Sequence, residues 1–213
     1  MNQYIQETAF ATKELLGLVS AEENKLKDEV EGFKSLGARI KGLRWEFESS
    51  DLNDDFPVGY SVNAFNRMSR AEEAAPSDRK TKQARIDTLQ VSIDSHEQAV
   101  QVIAGAILQI AQQGISTVYS IVNGELSMVP EGRKIGSLAI KEIIWRARNQ
   151  AMHYEAVTPN KLVAELFKAL ASEQGPKFSL TAHPRQSRAR QVLELLDWKV
   201  YADYEKDMAT LLP

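Results

Sequence analysis

Apolar residues recur at intervals of three and four along most of this 213-residue chain, and that spacing constrains the fold more than any other feature. Residues three and four apart share one face of an α-helix, whereas a half-buried strand needs strict alternation. Strand-type alternation of Val, Ile, Thr and aromatic residues is nearly absent, so the pattern predicts an all-α fold. Ile5, Ala9, Leu15, Leu16 and Val19 mark a first helix over residues 4–19. Ser20 with Glu23 three residues on has the form of a capping box, which predicts a new helix start. That helix carries Leu26, Val30, Phe33, Leu36, Ile40, Leu43 and Phe47, a narrow stripe of coiled-coil type.

From Glu48 to about Ser77 the pattern breaks, with Pro57, Gly59 and clustered Asp and Asn predicting a long loop. Helix resumes in "AAPSDRKTKQ". Residues 96–122 are the most apolar part and predict a central core helix through Val100, Ile103, Ile107, Ile110, Ala111, Val118 and Ile121. Gly105 and Gly114 would allow a neighbour to approach it closely. "NGELSMVPEGRKIGS" reads as a loop leading to a helix over 140–153. Thr158 and Pro159 read as N-cap and first position of a helix running to about Ser172. A second loop, "EQGPKFSLTAHPRQ", precedes a last helical region from Pro184 to about Leu212. The expected organisation is an N-terminal helical arm and loop, 1–77, for packing or partner binding, followed by a helical bundle, 78–213.

A formal net charge of −3 provides no global basic field, so any polyanion site must be local. Cysteine is absent, which excludes disulfides, thiolate chemistry and Cys-ligated zinc. Three scattered histidines without an H-E-x-x-H pattern predict no metal site, and no cofactor is expected. The N-terminus lacks the basic start and continuous apolar run of a signal peptide. No apolar stretch reads as long enough to cross a bilayer, so the expectation is a cytoplasmic protein with no membrane partner.

The stretch "IKEIIWRARNQAMHYE", residues 140–155, gathers Arg146, Arg148, Asn149 and His153 into eight residues beside Trp145. On a helical wheel Ile140, Ile143, Ile144, Ala147 and Ala151 form the core-facing sector. Arg148 falls about 80° from its centre, Met152 about 120°, Trp145 about 140°, Asn149 about 180° and His153 about 220°. A tryptophan and a methionine turned away from the core predict a second burial surface, so Trp145 and Met152 are candidates for a dimer interface. Arg148 can clamp a phosphate through two N–H groups. His153 can exchange a proton near neutral pH, and Asn149 can hydrogen-bond a base edge or a phosphate oxygen. These groups suit RNA cleavage by its own 2′-hydroxyl, with a base taking the proton and an arginine stabilising charge on phosphorus. Arg and His splay apart on one helix, so two copies related by a two-fold axis would converge better on one phosphate.

"R-N-Q-A-M-H", Arg148 to His153, resembles the R-N-x-x-x-H signature of HEPN domains, all-α modules found in RNases of toxin–antitoxin and antiphage systems. The resemblance implies a HEPN-like helical bundle that dimerises around a composite, metal-independent endoribonuclease site, a hydrolase acting as a toxin or antiviral defence effector. Arg148 would be the phosphate-side cation, Asn149 the supporting polar residue and His153 the catalytic imidazole. It covers about six residues and their helical setting; the arm over residues 1 to about 75 lies outside the family pattern. A chance R-N-x-x-x-H is expected on the order of once in a hundred such sequences, against roughly one in six for a bare R-x-x-x-x-H.

Lys141, Arg146, Arg185, Arg188 and Arg190 are further RNA-binding candidates, with Arg133 and Lys134 adding local positive charge. Glu142 can pair with Arg146 one turn on, or orient a histidine of an opposing copy. His96 and His183 read as caps or surface residues. The N-terminal stripe packs on the bundle or on a partner subunit, or receives an antitoxin or another defence component. A competing reading makes the chain a non-catalytic RNA-binding or protein-interaction subunit, with Arg148 and His153 serving only a helix end.

Overall fold

Residues 3 to 51 contain no proline, and the first long helix, α1 (Gln3–Asp51), uses all of them. The structure, a computed structural model, describes residues 2–51, 75–122, 124–156 and 158–212. The expected long loop therefore falls mostly outside the described residues. So do the side chains of Phe33, Leu36, Ile40, Leu43 and Phe47 in the N-terminal stripe. The second long helix, α2 (Ala75–Tyr119), has Pro76 in its first turn, where a missing N–H does no harm. A two-residue antiparallel ladder follows, β1 (Lys134–Ile135) with β2 (Leu138–Ala139), pairing Lys134 with Ala139 and Ile135 with Leu138. Then come α3 (Ile140–Met152), α4 (Lys161–Gln174), a 3-10 turn at Pro176–Phe178, α5 (Ala189–Leu196) and α6 (Tyr201–Leu211). The fold is all-α apart from that ladder.

Several local boundaries differ from the sequence reading. No helix starts at Ser20: α1 runs through it, because the residues on either side are good helix formers and nothing breaks the backbone ladder. The cap of α4 is Asn160, whose side-chain oxygen accepts the Leu162 N–H at 2.9 Å, rather than Thr158. Pro184 opens no helix. The last helical region is two helices, separated by Asp197 in the left-handed conformation at the end of α5.

The chain forms two compact units, Met1–Glu23 with Gln98–Pro213, and Asn24–Glu97. The division thus differs from the expected boundary at residue 77, and residues 1–23 group with the bundle. Ile5, Leu16 and Val19 of α1 are buried in the bundle core with Val100, Ile107, Leu108, Ala111 and Ile115 of α2. Tyr4 lies on Gly114, where a Cβ would come 2.7 Å from the ring, and its hydroxyl donates to the Ile110 carbonyl at 2.8 Å. Gly114 is therefore required by close approach, whereas a Cβ at Gly105 would meet Ala151 at an ordinary 3.6 Å. In the other unit, Ser92 donates to the Glu29 carboxylate at 2.7 Å, and His96 sits 3.7 Å from the same group. Leu26 and Ile93 are buried there.

Within the bundle, α3 packs against α4 and α5. Val163, Leu166, Phe167 and Leu170 of α4 follow helical spacing, as do Val192, Leu193 and Leu196 of α5, and all are buried. Gly136 makes the ladder's turn at φ +59°, and the Ser137 N–H and hydroxyl both donate to Glu173 of α4. Those bonds hold the Glu173 carboxyl below its ordinary range.

The Asp87–Tyr119 stretch of α2 is long and apolar enough to cross a bilayer by length and composition, and half of its apolar window is buried inside the fold. The sequence reading found no such stretch. Glutamines such as Gln109, Gln112 and Gln113 interrupt the apolar run without adding charge, so the stretch carries few charged groups although it reads as broken. Half-burial is what a core helix requires.

Tyr204 of α6 is fully buried, and burial pushes its phenol well above its ordinary value. The unfolded phenol ionises at about 10, so the native state holds a proton above that pH that the unfolded chain has lost. Stability is therefore expected to fall above pH about 10, by up to about 1.4 kcal/mol per pH unit for this group. Tyr204→Phe should flatten that alkaline limb in urea unfolding, although the partly buried phenols of Tyr4, Tyr119 and Tyr201, also raised by burial, keep part of it. An unchanged alkaline slope would remove Tyr204 from the account.

Candidate functional site

Helix α3 carries the motif and ends on it. Ile140, Ile143, Ile144, Ala147 and Ala151 are buried, as the wheel predicts, and His153 is the exposed C-cap. The His153 backbone N–H donates to the Asn149 carbonyl at 3.1 Å and the Gln150 carbonyl at 3.3 Å, which closes the last turn. The imidazole thus stands at a fixed helix end, with solvent on one side.

Trp145 overturns the wheel, and Gln150 adds a buried polar residue to α3. Trp145 is 9 % exposed and belongs to the core of its own chain, so it is not an outward interface residue. The loop after α2 covers the side the wheel left open: a Cβ at Gly124 would lie 3.1 Å from the indole Nε1. Gln150 is 6 % exposed and fastens a second loop. Its amide N–H donates to the Gln186 carbonyl and its oxygen accepts the Arg188 backbone N–H, both at 2.9 Å. Helix α3 is therefore enclosed over a wider arc than its aliphatic sector suggests. Met152 remains 46 % exposed at the outer end.

Arg148 is half-buried. Its Nε donates to the Gln109 side chain of α2, and its Nη1 donates to the Asn149 side-chain oxygen at 3.1 Å. Neither acceptor is charged, so the guanidinium keeps its full positive charge available to an anion. Asn149 in turn borders a cavity of about 500 Å³ that is also lined by His153, Asn160, His183 and Arg185. Arg148 itself does not line it. Although the chain holds 29 Asp and Glu residues, none of those among the described residues lines this cavity. Among the described residues, no group of three or more His, Cys, Asp and Glu is placed to hold a metal ion.

The basic residues singled out in the sequence divide sharply. Lys141 donates from Nζ to the Leu126 and Val129 carbonyls at 3.0 and 2.7 Å, anchoring the loop before the ladder. Arg146 pairs with Glu142 at 2.7 Å, as the nearer of the two readings of Glu142 has it. Arg188 is buried, and its guanidinium bonds to Gln186. Arg190 pairs with Glu23 at 3.1 Å and Glu194 at 3.3 Å. Arg133 is engaged by Asp207, and Lys134 pairs with Glu131 at 3.1 Å. Arg185 differs: it is exposed, borders the cavity, and has no ion pair among the described residues. Its backbone is left-handed at φ +54°, a conformation that non-glycine residues adopt at some expense.

Sequence reasoning missed the part played by Gln150, Asn160 and His183. Gln150 stands inside the motif at a position the signature leaves free, and its buried amide ties down the 186–188 loop. His183, read as a cap or surface residue, lines the cavity with His153; only its rarity in a chain with three histidines could have drawn notice. Comparison of the chain with protein-family models, curated proteins and solved structures yields no match.

Proposed function

We propose that the chain is a metal-independent endoribonuclease of HEPN type, a homodimer that works in the cytoplasm as a toxin or antiphage effector. The observation that carries this reading is the Arg148–Asn149 contact, with Asn149 and His153 bordering a cavity that no carboxylate among the described residues lines. With Arg185 at its rim and no fixed negative charge among its described lining residues, such a cavity suits a phosphodiester better than a cation. His153 takes the 2′-hydroxyl proton and Arg148 stabilises the charge that grows on the phosphate oxygens. Because Arg148 lies outside the cavity wall, two copies facing each other along the exposed end of α3 let one chain's Arg148 reach the phosphate at the other's His153. Met152, exposed there, belongs to that contact. An antitoxin or another defence protein would restrain or trigger the activity.

The test is cleavage of a mixed RNA pool with EDTA present. His153→Ala is expected to lower the rate roughly 10²–10⁴-fold, the usual scale for a general base, and Arg148→Ala by a similar factor. Both side chains are at least partly exposed, so the melting temperature of each variant should stay close to that of the parent. Variants that cut RNA at the parental rate would end this reading.

A further inference from the structure

The cavity beside the motif holds two of the chain's three histidines, His153 from the end of α3 and His183 from the loop before α5. They reach it from separate segments, and a buried residue of the motif holds those segments together. Gln150, three positions before His153, bonds the Gln186 carbonyl and the Arg188 N–H, so the loop carrying His183 and Arg185 is pinned to α3. The His183 backbone N–H donates to the Ser179 carbonyl at 3.2 Å, and Pro184 restricts the residue that precedes it. Among the described residues, the other titratable groups facing the cavity are Tyr154 and Arg185, with no carboxylate.

We propose that His183 is the second proton-transfer group of this site, the general acid that protonates the leaving oxygen of a phosphodiester whose 2′-hydroxyl is deprotonated by His153, with Arg185 binding the same phosphate. This rests on the ribonuclease reading above and deepens it. The step balances within one substrate. The 2′-oxygen forms a bond to phosphorus as its proton passes to the His153 imidazole. The bond from phosphorus to the 5′-oxygen breaks, and that oxygen takes the proton of the His183 imidazolium. The products are a 2′,3′-cyclic phosphate and a free 5′-hydroxyl, and a water-borne proton exchange resets both imidazoles. One subunit thus contains both the base and the acid, and the opposing copy need supply only a cation.

Two measurements test the assignment. In the first, 3′-uridine monophosphate is titrated into the full-length protein while the three imidazole resonances are followed by NMR. His153 and His183 should move together at one ligand affinity, with His96 unmoved, and Arg185→Ala should weaken that affinity about tenfold. A His183 signal that ignores the ligand overturns the proposal. In the second, ordinary RNA is compared with an RNA whose scissile 5′-oxygen is replaced by sulfur, a leaving group that departs without a proton. His183→Ala should cut ordinary RNA roughly 10²–10³-fold more slowly and lose the alkaline fall of the pH–rate profile, yet cut the sulfur substrate within about threefold of the parent. His153→Ala should be slow on both. Should His183→Ala fold poorly, His183→Gln carries the same expectation. If His153→Ala is inactive while His183→Ala keeps full activity on ordinary RNA, the acid assignment falls and the ribonuclease reading stands. If neither substitution slows cleavage, or the parent cuts no RNA, both fall.

Discussion

Trp145→Glu is expected to unfold the protein rather than to split a dimer. Facing solvent or a second subunit, the indole would yield to a carboxylate with little loss of monomer stability. It is instead 9 % exposed, packed in the core of its own bundle and covered by the backbone at Gly124. Removing a buried tryptophan side chain costs about 3–5 kcal/mol, and an unpaired carboxylate in the same place adds several more. Domains of this kind are stable by only about 5–15 kcal/mol, so the sum is large enough to abolish folding. Circular dichroism should report loss of cooperative melting and light scattering should report aggregation. A variant with the parental melting temperature and half the parental mass would restore Trp145 to an interface. Trp145→Phe keeps an aromatic ring in the site and should lower stability only modestly, which separates the two causes.

The second large effect is expected at Asp207, a buried carboxylate near the end of α6. Arg133 grips it with two bonds, from Nε at 2.7 Å and Nη2 at 2.8 Å, while the indole Nε1 of Trp198 donates to it at 2.8 Å. The same guanidinium also donates to the Leu196 carbonyl at 2.6 Å, at the end of α5. One charge therefore joins the segment before the ladder to α5 and α6. The bonds raise the Arg133 guanidinium above its ordinary value, Asp207 first among the causes. Asp207 is 6 % exposed at its side chain and Arg133 is 42 % exposed, so after Asp207→Ala water can reach the arginine but not the indole N–H. The loss should be about 3 kcal/mol, at the low end for breaking a buried pair, with the orphaned indole supplying a good part. For a chain of this length that lowers the melting temperature by roughly 6–12 °C. A double-mutant cycle with Arg133→Ala should recover a coupling of about 1–3 kcal/mol. Additive effects would show that the pair is not coupled and that the loss comes from the indole alone.

Periodicity made the helices legible, and helix faces were read correctly wherever one neighbour decides burial. The aliphatic sector of α3 is the example; of the row expected on α2, Val100, Ile107 and Ala111 are buried, but Val118 is exposed and Ile121 lies beyond the helix end at Tyr119. Local signals were weaker at boundaries. Ser20 and Glu23 have the chemistry of a cap, but no residue around them interrupts the backbone hydrogen-bond ladder of α1. Thr158–Pro159 lost to Asn160 because the residue whose side chain accepts the Leu162 N–H fixes the start of α4, and that geometry depends on the approach of the preceding loop. The R-N-x-x-x-H pattern marked the end of α3, yet the histidine that shares its cavity lies in a loop with no pattern of its own.

By itself, then, the sequence determined that the chain is helical, which side of α3 is aliphatic, and where Arg148, Asn149 and His153 stand on it. Those are consequences of spacing along a single chain, set by the 3.6-residue turn. The tertiary structure decided the rest: that loops enclose α3 far enough to bury Trp145 and Gln150, that most of its basic neighbours serve the fold's own carbonyls and carboxylates, and that His183 and Arg185 meet His153 around one cavity. A helical wheel has one axis and no neighbours, whereas burial and pairing depend on what the remainder of the chain brings alongside.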